Sequence, residues 1–352
     1  MPVSSPTNTS FAVLGSNGSL SPYVINALSK QPGVKKVIVL SRPSSSAPSL
    51  PSNVELVRAD YGNHSALVEL FKKHSIDVVI STLSDSAIMD AQRKLALAAK
   101  EAGVKLFVPV EYGFVTVGFS EKGGSNAWVN KDEFAAFLKS IDLPYARVFT
   151  GLWNNFTGWT VGYNINQKVN IVGKGETLAS FTAEEDVGGF IAHVTTTLPM
   201  SRLANANFRI EGDRLSLRQV AERFNKPIAF VDSTPEPMAE RRDLLQKAIE
   251  TGAGSTGWDP VTEKENPPDS DDGAGSANKL WEGHVWKKVD SANFMRLRPG
   301  RNNPCDTRKN KRSGLLSGAE KGSQERREEL NGCEQLLRLR GHWWERVEDE
   351  KR

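Results

Sequence analysis

The architecture of this chain is encoded near its amino terminus, in the segment Phe11-Ala12-Val13-Leu14-Gly15-Ser16-Asn17-Gly18-Ser19-Leu20-Ser21. A short apolar strand runs directly into a glycine-spaced turn and then into a helix. Gly15 lets the chain turn sharply, Gly18 lets the backbone approach a pyrophosphate, and the amides that open the helix carry positive partial charge. The spacing predicts a dinucleotide-binding turn. An ordinary strand-to-helix loop is the alternative, because Ser21 replaces the third glycine of the pattern.

The residues after this turn complete a strand-helix-strand unit. The helix is expected to end near Gly33, and one of its faces carries Leu20, Val24, Ala27 and Leu28. The next apolar run, Lys36-Val37-Ile38-Val39-Leu40, is typical of a parallel strand buried on both faces. The three elements fit within about thirty residues, as a dinucleotide-binding unit requires.

The same alternation of elements continues to Phe149. Further strands are predicted at 54–58, 77–81, 105–110 and 145–149, and helices at 65–74, 85–103 and 126–140. This order predicts an α/β fold, a Rossmann-type doubly wound parallel sheet.

The pattern changes beyond Gly151, and we expect three parts in all. Residues 1–155 form the NAD(P)-binding domain, 156–290 a smaller α/β substrate-side subdomain, and 291–352 a disordered tail, because the tail is charge-dense and poor in apolar residues. In the subdomain, Thr182-Ala183-Glu184-Glu185 reads as a capping box that opens a helix. Gly252–Asn278, rich in Gly, Pro, Ser and Asp, is predicted to be a mobile loop, either a plain linker or part of a lid.

Composition and charge exclude several classes of function. Residues 291–352 hold 15 basic and 10 acidic residues, which leaves 30 basic and 32 acidic residues in the rest of the chain. That balance gives no basic surplus for binding nucleic acid. No apolar run approaches the roughly 18 residues that cross a bilayer, and no leader is evident, so we expect no membrane contact and a cytoplasmic location. Two late cysteines and five scattered histidines predict neither a disulfide nor a metal site.

The residues after the second strand indicate which dinucleotide is bound. An NAD site would place an acidic side chain there to accept from the ribose hydroxyls, but this chain has Ser41 and Arg42, followed by Pro43 and three serines. The planar fork of an arginine suits a 2′-phosphate. The sequence therefore predicts NADP(H). The alternative is that Arg42 is only a solvated loop residue.

The catalytic pair of many short-chain dehydrogenases, a tyrosine with a lysine four residues on, is absent from all five tyrosines. Lys131 lies instead near the start of the helix predicted at 126–140, between the fifth and sixth strands. Here the chain resembles the fungal NmrA-like and isoflavone reductase-like family, an atypical branch of the short-chain dehydrogenases. The resemblance covers Phe11 to Val289 and rests on Gly15-Ser16-Asn17-Gly18, Ser41-Arg42, Ser81-Thr82, Phe107-Val108-Pro109-Val110-Glu111-Tyr112-Gly113, Lys131 before Leu143-Pro144-Tyr145, and Asn278-Lys279-Leu280-Trp281-Glu282-Gly283-His284.

The resemblance implies a site. Lys131 would serve in acid/base catalysis while NADPH delivers a hydride; a surface lysine, or one that only binds the cofactor ribose, is the alternative. The implied cofactor-binding residues are Gly15, Ser16, Asn17, Gly18, Ser19, Leu20, Ser41, Arg42, Asp60, Ser81, Thr82 and Lys131. Three positions depart from the family pattern: Ser21 replaces a glycine, Val110 a common serine, and Glu133 a second basic residue.

Two functions fit this resemblance. The first is an NADPH-dependent reductase of a small, aromatic or unsaturated substrate, with the pocket roofed by Gly151–Phe156 and the later subdomain; it requires Lys131 to face the cofactor cleft rather than solvent. The second is an NAD(P)-binding redox sensor that regulates transcription without turnover. Fold cannot choose between them. A third interpretation, an interaction protein driven by its tail, would require an ordered tail. The oligomeric state and the identity of the substrate stay open.

Overall fold

Parallel strands form the central sheet of the structure, a computed structural model that describes residues 8–124 and 126–295. Its first five strands are β1 (Ser10–Leu14), β2 (Lys36–Ser41), β3 (Val54–Arg58), β4 (Val78–Ser81) and β5 (Leu106–Val108). Their spatial order is β3-β2-β1-β4-β5. The chain therefore moves outward in one direction from β1 to β3 and in the other from β4 onward. This reversal beside β1 is where open α/β sheets bind ligands, at the carboxyl ends of the strands.

Helices connect these strands and cover the sheet. They are α1 (Ser21–Lys30), α2 (His64–Lys73), α3 (Arg93–Glu101) and α4 (Ala127–Ser140). Because parallel crossovers are right-handed, connections that run in opposite directions from β1 place their helices on opposite faces. The connections that contain α2 and α3 both run in the direction from β3 to β5, so these two helices lie on the same face and pack against each other. The predicted doubly wound α/β fold is confirmed.

The later elements are mostly short. The strands β6 to β14 lie at Ala146–Phe149, Leu152–Trp153, Val169–Ile171, Ala179–Thr182, Ala206–Arg209, Asp213–Leu215, Ile228–Phe230, Trp258–Asp259 and Lys264–Glu265. The helices α5 to α11 lie at Thr157–Thr160, Tyr163–Asn166, Glu184–Thr197, Met200–Leu203, Leu217–Arg223, Ala239–Glu250 and Ser291–Met295. Small sheets join β11, β9 and β7, then β12 and β8, and then β13 and β14.

Residues beyond 155 also extend the main sheet. Phe107 of β5 donates its backbone N–H to the Pro144 carbonyl (2.8 Å) and bridges Tyr145 in parallel, which places β6 beside β5. The strand β10 then pairs in parallel with β6. On the helical face, α7 packs on α1 at Gly188, where a Cβ would lie 2.6 Å from the Tyr23 carbonyl carbon. A second apolar cluster, which includes Phe181, lies among the later elements.

Several local predictions need correction. Thr182 does not cap α7: its hydroxyl donates to the Thr150 carbonyl (2.8 Å), and Ala183 is the capping position. The helix predicted over 85–103 divides into a 3₁₀ turn at Asp85–Ala87, a π-helical turn at Ile88–Gln92 and α3. The helix α10 was not predicted at all.

The segment Gly252–Asn278 is more than a plain linker. It contains the β13–β14 hairpin, and the buried Arg209 guanidinium donates to the carbonyls of Thr256 (2.7 Å) and Trp258 (3.1 Å). Of the tail predicted over 291–352, residues Ser291–Met295 form α11, and Phe294 is buried against Tyr163. The rest of that prediction, for 296–352, lies outside the described residues. Within the described ranges, no helix combines the length and apolarity that a bilayer crossing needs.

Candidate functional site

The glycine turn lies at the carboxyl end of β1, and both of its glycines are structurally required. Gly15 has a φ of +91°, a conformation that L side chains rarely adopt. A Cβ on Gly18 would lie 2.8 Å from the Ser21 hydroxyl oxygen and 3.0 Å from the Thr82 carbonyl oxygen. The turn is therefore closed against β4 with no room for a side chain at this position.

Ser21, which departs from the three-glycine pattern, has a defined role in this closure. Its hydroxyl accepts from the Gly18 N–H (3.0 Å) and lies 2.8 Å from the Thr82 hydroxyl. Thr82 in turn donates to the Leu14 carbonyl (2.9 Å). Because Thr82 has a single hydroxyl hydrogen, Ser21 is the donor between the two side chains. This buried chain of hydrogen bonds fastens the turn to β1 and β4, so the serine replaces the packing of a glycine with hydrogen bonds.

The loop after β2, Ser41–Ser46, is bonded to the glycine turn. The Ser16 and Ser41 hydroxyls lie 3.2 Å apart, and the Asn17 side-chain amide donates to the Ser46 hydroxyl (3.1 Å). Arg42 is exposed. The structure thus brings the predicted pyrophosphate turn and the predicted 2′-phosphate loop together as neighbouring parts of one edge.

Two ionisable side chains follow β3 at this edge. Burial raises the pKa of Tyr61 to about 12, an effect that the nearby Arg42 guanidinium partly offsets, and the Tyr61 hydroxyl donates to the Leu40 carbonyl (3.0 Å). Asp60 is exposed and accepts the Gly62 N–H through Oδ1 (2.9 Å). Of the predicted cofactor residues, Asp60 is thus the one whose side chain is bonded within its own turn.

The remaining predicted residues of the turn and of β4 fall at the same edge. Leu20 is buried at the start of α1 and Ser19 is exposed beside it. The Ser81 side-chain hydroxyl is buried without a hydrogen-bond partner among the described residues. The backbone carbonyl of Ser81 accepts from the buried Tyr112 hydroxyl (3.0 Å), whose pKa burial raises above its ordinary value.

Lys131 is buried on α4 rather than facing solvent, with 9% of its surface exposed. Its ammonium donates to the Glu111 carbonyl (2.9 Å), in the loop after β5. It also lies 3.2 Å from the Asp85 carboxylate, in the loop after β4, where Asp85 is largely exposed. The cation therefore lies between the loops at the carboxyl ends of two central strands.

A buried ion network lies behind Lys131, and it was not predicted from the sequence. The Arg147 guanidinium bonds the Glu111 carboxylate (2.7 Å), the Asp132 carboxylate (3.0 Å) and the Thr116 hydroxyl (2.6 Å). Burial alone would lower the pKa of Arg147, but the two carboxylates outweigh it and raise that pKa above its ordinary value. The only available signals were the adjacency of Asp132 to Lys131 and the Glu-aromatic-Gly turn.

Asp132 also closes the loop that precedes α4. Its Oδ2 accepts from the Gly118 N–H (3.1 Å), the Ser120 N–H (3.1 Å) and the Ser120 hydroxyl (2.6 Å). Asp132 therefore connects the helix that carries Lys131 to Arg147 through Oδ1 and to the preceding loop through Oδ2.

The predicted roof segment Gly151–Phe156 also reaches this part of the fold. Gly151 has a φ of +64° and passes so close to the Ser180 carbonyl that a Cβ there would lie 2.3 Å away. The Asn155 amide donates to the buried Glu184 carboxylate (2.7 Å), at the start of α7. The segment thus connects the end of β6 to the later elements. Within the described part of the chain, no group of three or more His, Cys, Asp or Glu residues is placed to bind a metal.

Comparisons with known proteins place this geometry in context. The NmrA-like family profile matches residues 7–230. Phenylcoumaran benzylic ether reductase 1 of Arabidopsis thaliana is 28% identical over 192 residues, 50% of this chain and 61% of the relative. Oxidoreductase BOA1 of Botryotinia fuckeliana is 29% identical over 226 residues, 59% of this chain and 72% of the relative. The chain thus spans less than two thirds of the length of the first relative.

A solved structure shares the fold over a longer range. The structure described as AtPrR2 with NADP+ and (+)pinoresinol superimposes with a TM-score of 0.60 at 20% identity. The superposition covers 82% of this chain and 98% of that one. At this identity the likeness establishes a shared fold.

Proposed function

The chain belongs to the NmrA-like family, and from that premise we propose that it is an NADPH-dependent reductase of the isoflavone reductase type that acts on a small aromatic or unsaturated substrate. The observation that carries the proposal is the buried Lys131 ammonium, held between the loops after β4 and β5 at the edge where the glycine turn lies. The reductases among its relatives and the cofactor in the AtPrR2 structure support the same conclusion.

The residues at this edge fit NADP(H). Gly18 presents its backbone without a side chain, and the Ser81 hydroxyl is buried without a partner among the described residues. Gly15, Ser16, Asn17, Gly18, Ser19 and Leu20 would hold the pyrophosphate, with the opening amides of α1 directed at it. Ser41 and Arg42 would bind the 2′-phosphate, and Asp60, Ser81 and Thr82 would line the adenosine and ribose side. The cofactor, when bound, supplies the hydride.

Lys131 would supply the proton in this reaction. The Glu111 carbonyl and the Asp85 carboxylate hold its ammonium in place, and the Arg147 network holds Glu111. An ammonium keeps three hydrogens, so two bonds to these groups leave one for a substrate oxygen or carbon. The part of the chain from 156 to 290 would form the substrate side, and Asn155 would join it through its hydrogen bond to Glu184.

The test compares binding and turnover in the same preparations. NADPH affinity is measured by calorimetry and NADPH consumption by absorbance against a panel of enones and aryl ketones. We expect Lys131→Met to bind NADPH within about threefold of the wild type and to consume it at least about 100-fold more slowly, the usual contribution of a positioned proton donor. Lys139→Met, on the exposed end of the same helix, is the matched control and should leave both quantities unchanged.

Two results would contradict the proposal. If Lys131→Met turned over as fast as the wild type, Lys131 would not be the proton donor. If the wild type bound NADPH and NADP+ with unequal affinity but consumed neither with any substrate of the panel, the chain would be a redox sensor instead.

A further inference from the structure

Arg58 ends β3 and contacts most of the loop that follows β2. The register of the two strands places Arg58 opposite Ser41. Its Nη1 donates to the Ser41 hydroxyl (3.1 Å), the Arg42 carbonyl (2.9 Å) and the Ser45 carbonyl (2.8 Å). One nitrogen thus bonds to three residues of the six-residue Ser41–Ser46 loop.

These bonds direct the polar groups of the loop. The Ser45 N–H also donates to the Arg42 carbonyl (3.0 Å), so the loop is a turn whose carbonyl dipoles point at the Arg58 guanidinium. Carbonyl oxygens facing an anion would repel it, and the Arg58 guanidinium offsets the negative partial charge of two of them. Because the Ser41 oxygen accepts from Arg58, its own hydrogen stays available to donate to Ser16 or to an anion.

The same loop is fastened to the glycine turn. Ser16 bonds Ser41 near one end and Asn17 bonds Ser46 at the other. A guanidinium that fixes the loop therefore also fixes its distance from the turn. Arg42 and Arg58 together place two permanent positive charges at this edge. The acidic residue Asp60 follows β3, and one of its carboxylate oxygens accepts the Gly62 N–H. Two guanidinium groups and a hydroxyl donor suit a dianionic phosphate monoester.

We propose that Arg58 is a specificity-determining residue of the cofactor site, and that it selects the 2′-phosphate of NADP(H) by shaping and charging the Ser41–Ser46 loop. The inference rests on the proposed function, because it takes the dinucleotide site as its starting point. Arg42 is the direct phosphate contact in this arrangement, and Arg58 is the positioning residue that orients the loop beneath it.

The experiment measures dissociation constants by calorimetry for NADPH and NADH, and for adenosine 2′,5′-bisphosphate and adenosine 5′-phosphate as probes that differ only in the 2′-phosphate. Arg58→Ala should weaken NADPH about tenfold or more and NADH less than about threefold, since a displaced Ser41–Ser46 loop and the loss of a nearby positive charge affect only the phosphorylated ligand. Arg58→Lys keeps the charge but loses the fork, and its NADPH affinity should fall between. Lys35→Ala, an exposed lysine at the opposite end of β2, controls for net charge and should leave the ratio unchanged.

The outcomes separate the inference from the proposed function. A loss of preference for both phosphorylated ligands in Arg58→Ala, with an intermediate Arg58→Lys, supports the inference. If the wild type prefers NADPH and both variants keep that preference, or weaken both dinucleotides equally, the inference is overturned and the proposed function stands. If the wild type binds neither dinucleotide, the proposed function fails and the inference fails with it. Melting curves of each variant show which preparations are folded, and Arg58→Lys decides the question if Arg58→Ala is not.

Discussion

Two parts of the same sheet edge are built in opposite ways. The glycine turn is held by hydrogen bonds of backbone amides and small hydroxyls, mainly Ser21 and Thr82 around the end of β1. The Lys131 side is held by full charges, since Glu111, Asp132 and Arg147 come from three separate segments and are almost completely buried. One edge of the sheet thus combines a turn held by neutral hydrogen bonds with a region held by buried ion pairs.

The two designs differ in what the loss of one member does. A neutral hydrogen bond contributes on the order of 1 kcal/mol, whereas removing one partner of a buried ion pair leaves an uncompensated charge and costs about 3–5 kcal/mol. The Lys131 side is therefore the more vulnerable of the two, although it lies beside the same strands.

The largest expected effect comes from Arg147. We expect Arg147→Met to lower the free energy of unfolding by about 3–5 kcal/mol, because Glu111 and Asp132 would remain buried without their cation. Urea unfolding at neutral pH measures the change. Lys94→Met, which breaks an exposed ion pair with Asp90, is the control and should cost less than about 1 kcal/mol. A loss in Arg147→Met as small as in that control would remove the contrast between the two regions.

An intermediate effect is expected in the turn. Gly18→Ala places a methyl group against the Ser21 hydroxyl and the Thr82 carbonyl, and such overpacking costs about 1–3 kcal/mol. Adding Ser21→Gly removes the nearer atom but leaves the carbonyl and also removes the hydrogen bonds of the Ser21 hydroxyl, so the double variant should not regain the stability of the wild type. Gly113→Ala is the control, since its Cβ would meet only the Glu111 carbonyl oxygen at 3.7 Å. Equal unfolding free energies for Gly18→Ala and Gly113→Ala would show that the turn is not closed as described.

The same contrast explains what the sequence could predict. The strand, the turn and the β2 strand are set by neighbours in the chain, so a sharp turn could be predicted at Gly15 and a cofactor-binding loop at Ser41 and Arg42. The register that sets Arg58 opposite Ser41 joins residues 17 positions apart and has no local signature. Thr182 shows the reverse failure, because its sequence fits a capping box while its hydroxyl donates to the carbonyl of Thr150, which lies between β6 and β7.

The Lys131 side was predictable only in part. Lys131 could be placed on α4 because Asn126 caps that helix with its own side chain, bonded to the Trp128 and Val129 amides. Its burial and its partners depend on where the loops after β4 and β5 fold back, which no spacing records. The unpredicted α10 has the same origin. Its residues are mostly charged or polar, and it is stabilised by Ile249, which packs in the second apolar cluster, and by the buried Gln246, which donates to the Thr160 and Asn170 carbonyls.

The smallest expected effect is a pH dependence of stability, and it arises from a contact between His193 of α7 and Leu280, which follows α10 in the chain. The His193 Nε2–H donates to the Leu280 carbonyl (3.1 Å), and the His193 ring stacks on Trp281, which stacks on His284. Burial lowers the pKa of His193, and the nearby His284 lowers it further, while the Leu280 carbonyl opposes both. The folded state therefore favours the neutral ring, and the neutral Nε2 is then the donor to Leu280.

The sign of the resulting pH dependence follows from that lowered pKa. Above the ordinary value of 6.5 the ring is neutral in both states, and His193 adds no slope. Below 6.5 the unfolded chain takes up the proton first, so stability falls as the pH falls until the folded ring is also protonated. Burial lowers the pKa of His74 as well, so the wild type carries both contributions. We expect His193→Gln to reduce, without abolishing, the loss of unfolding free energy between pH 7.5 and 5.5, measured by urea titration. His64→Gln, at an exposed position, is the control. If both variants retained the wild-type slope, the contact between α7 and the Leu280 segment would not contribute to the pH dependence of stability.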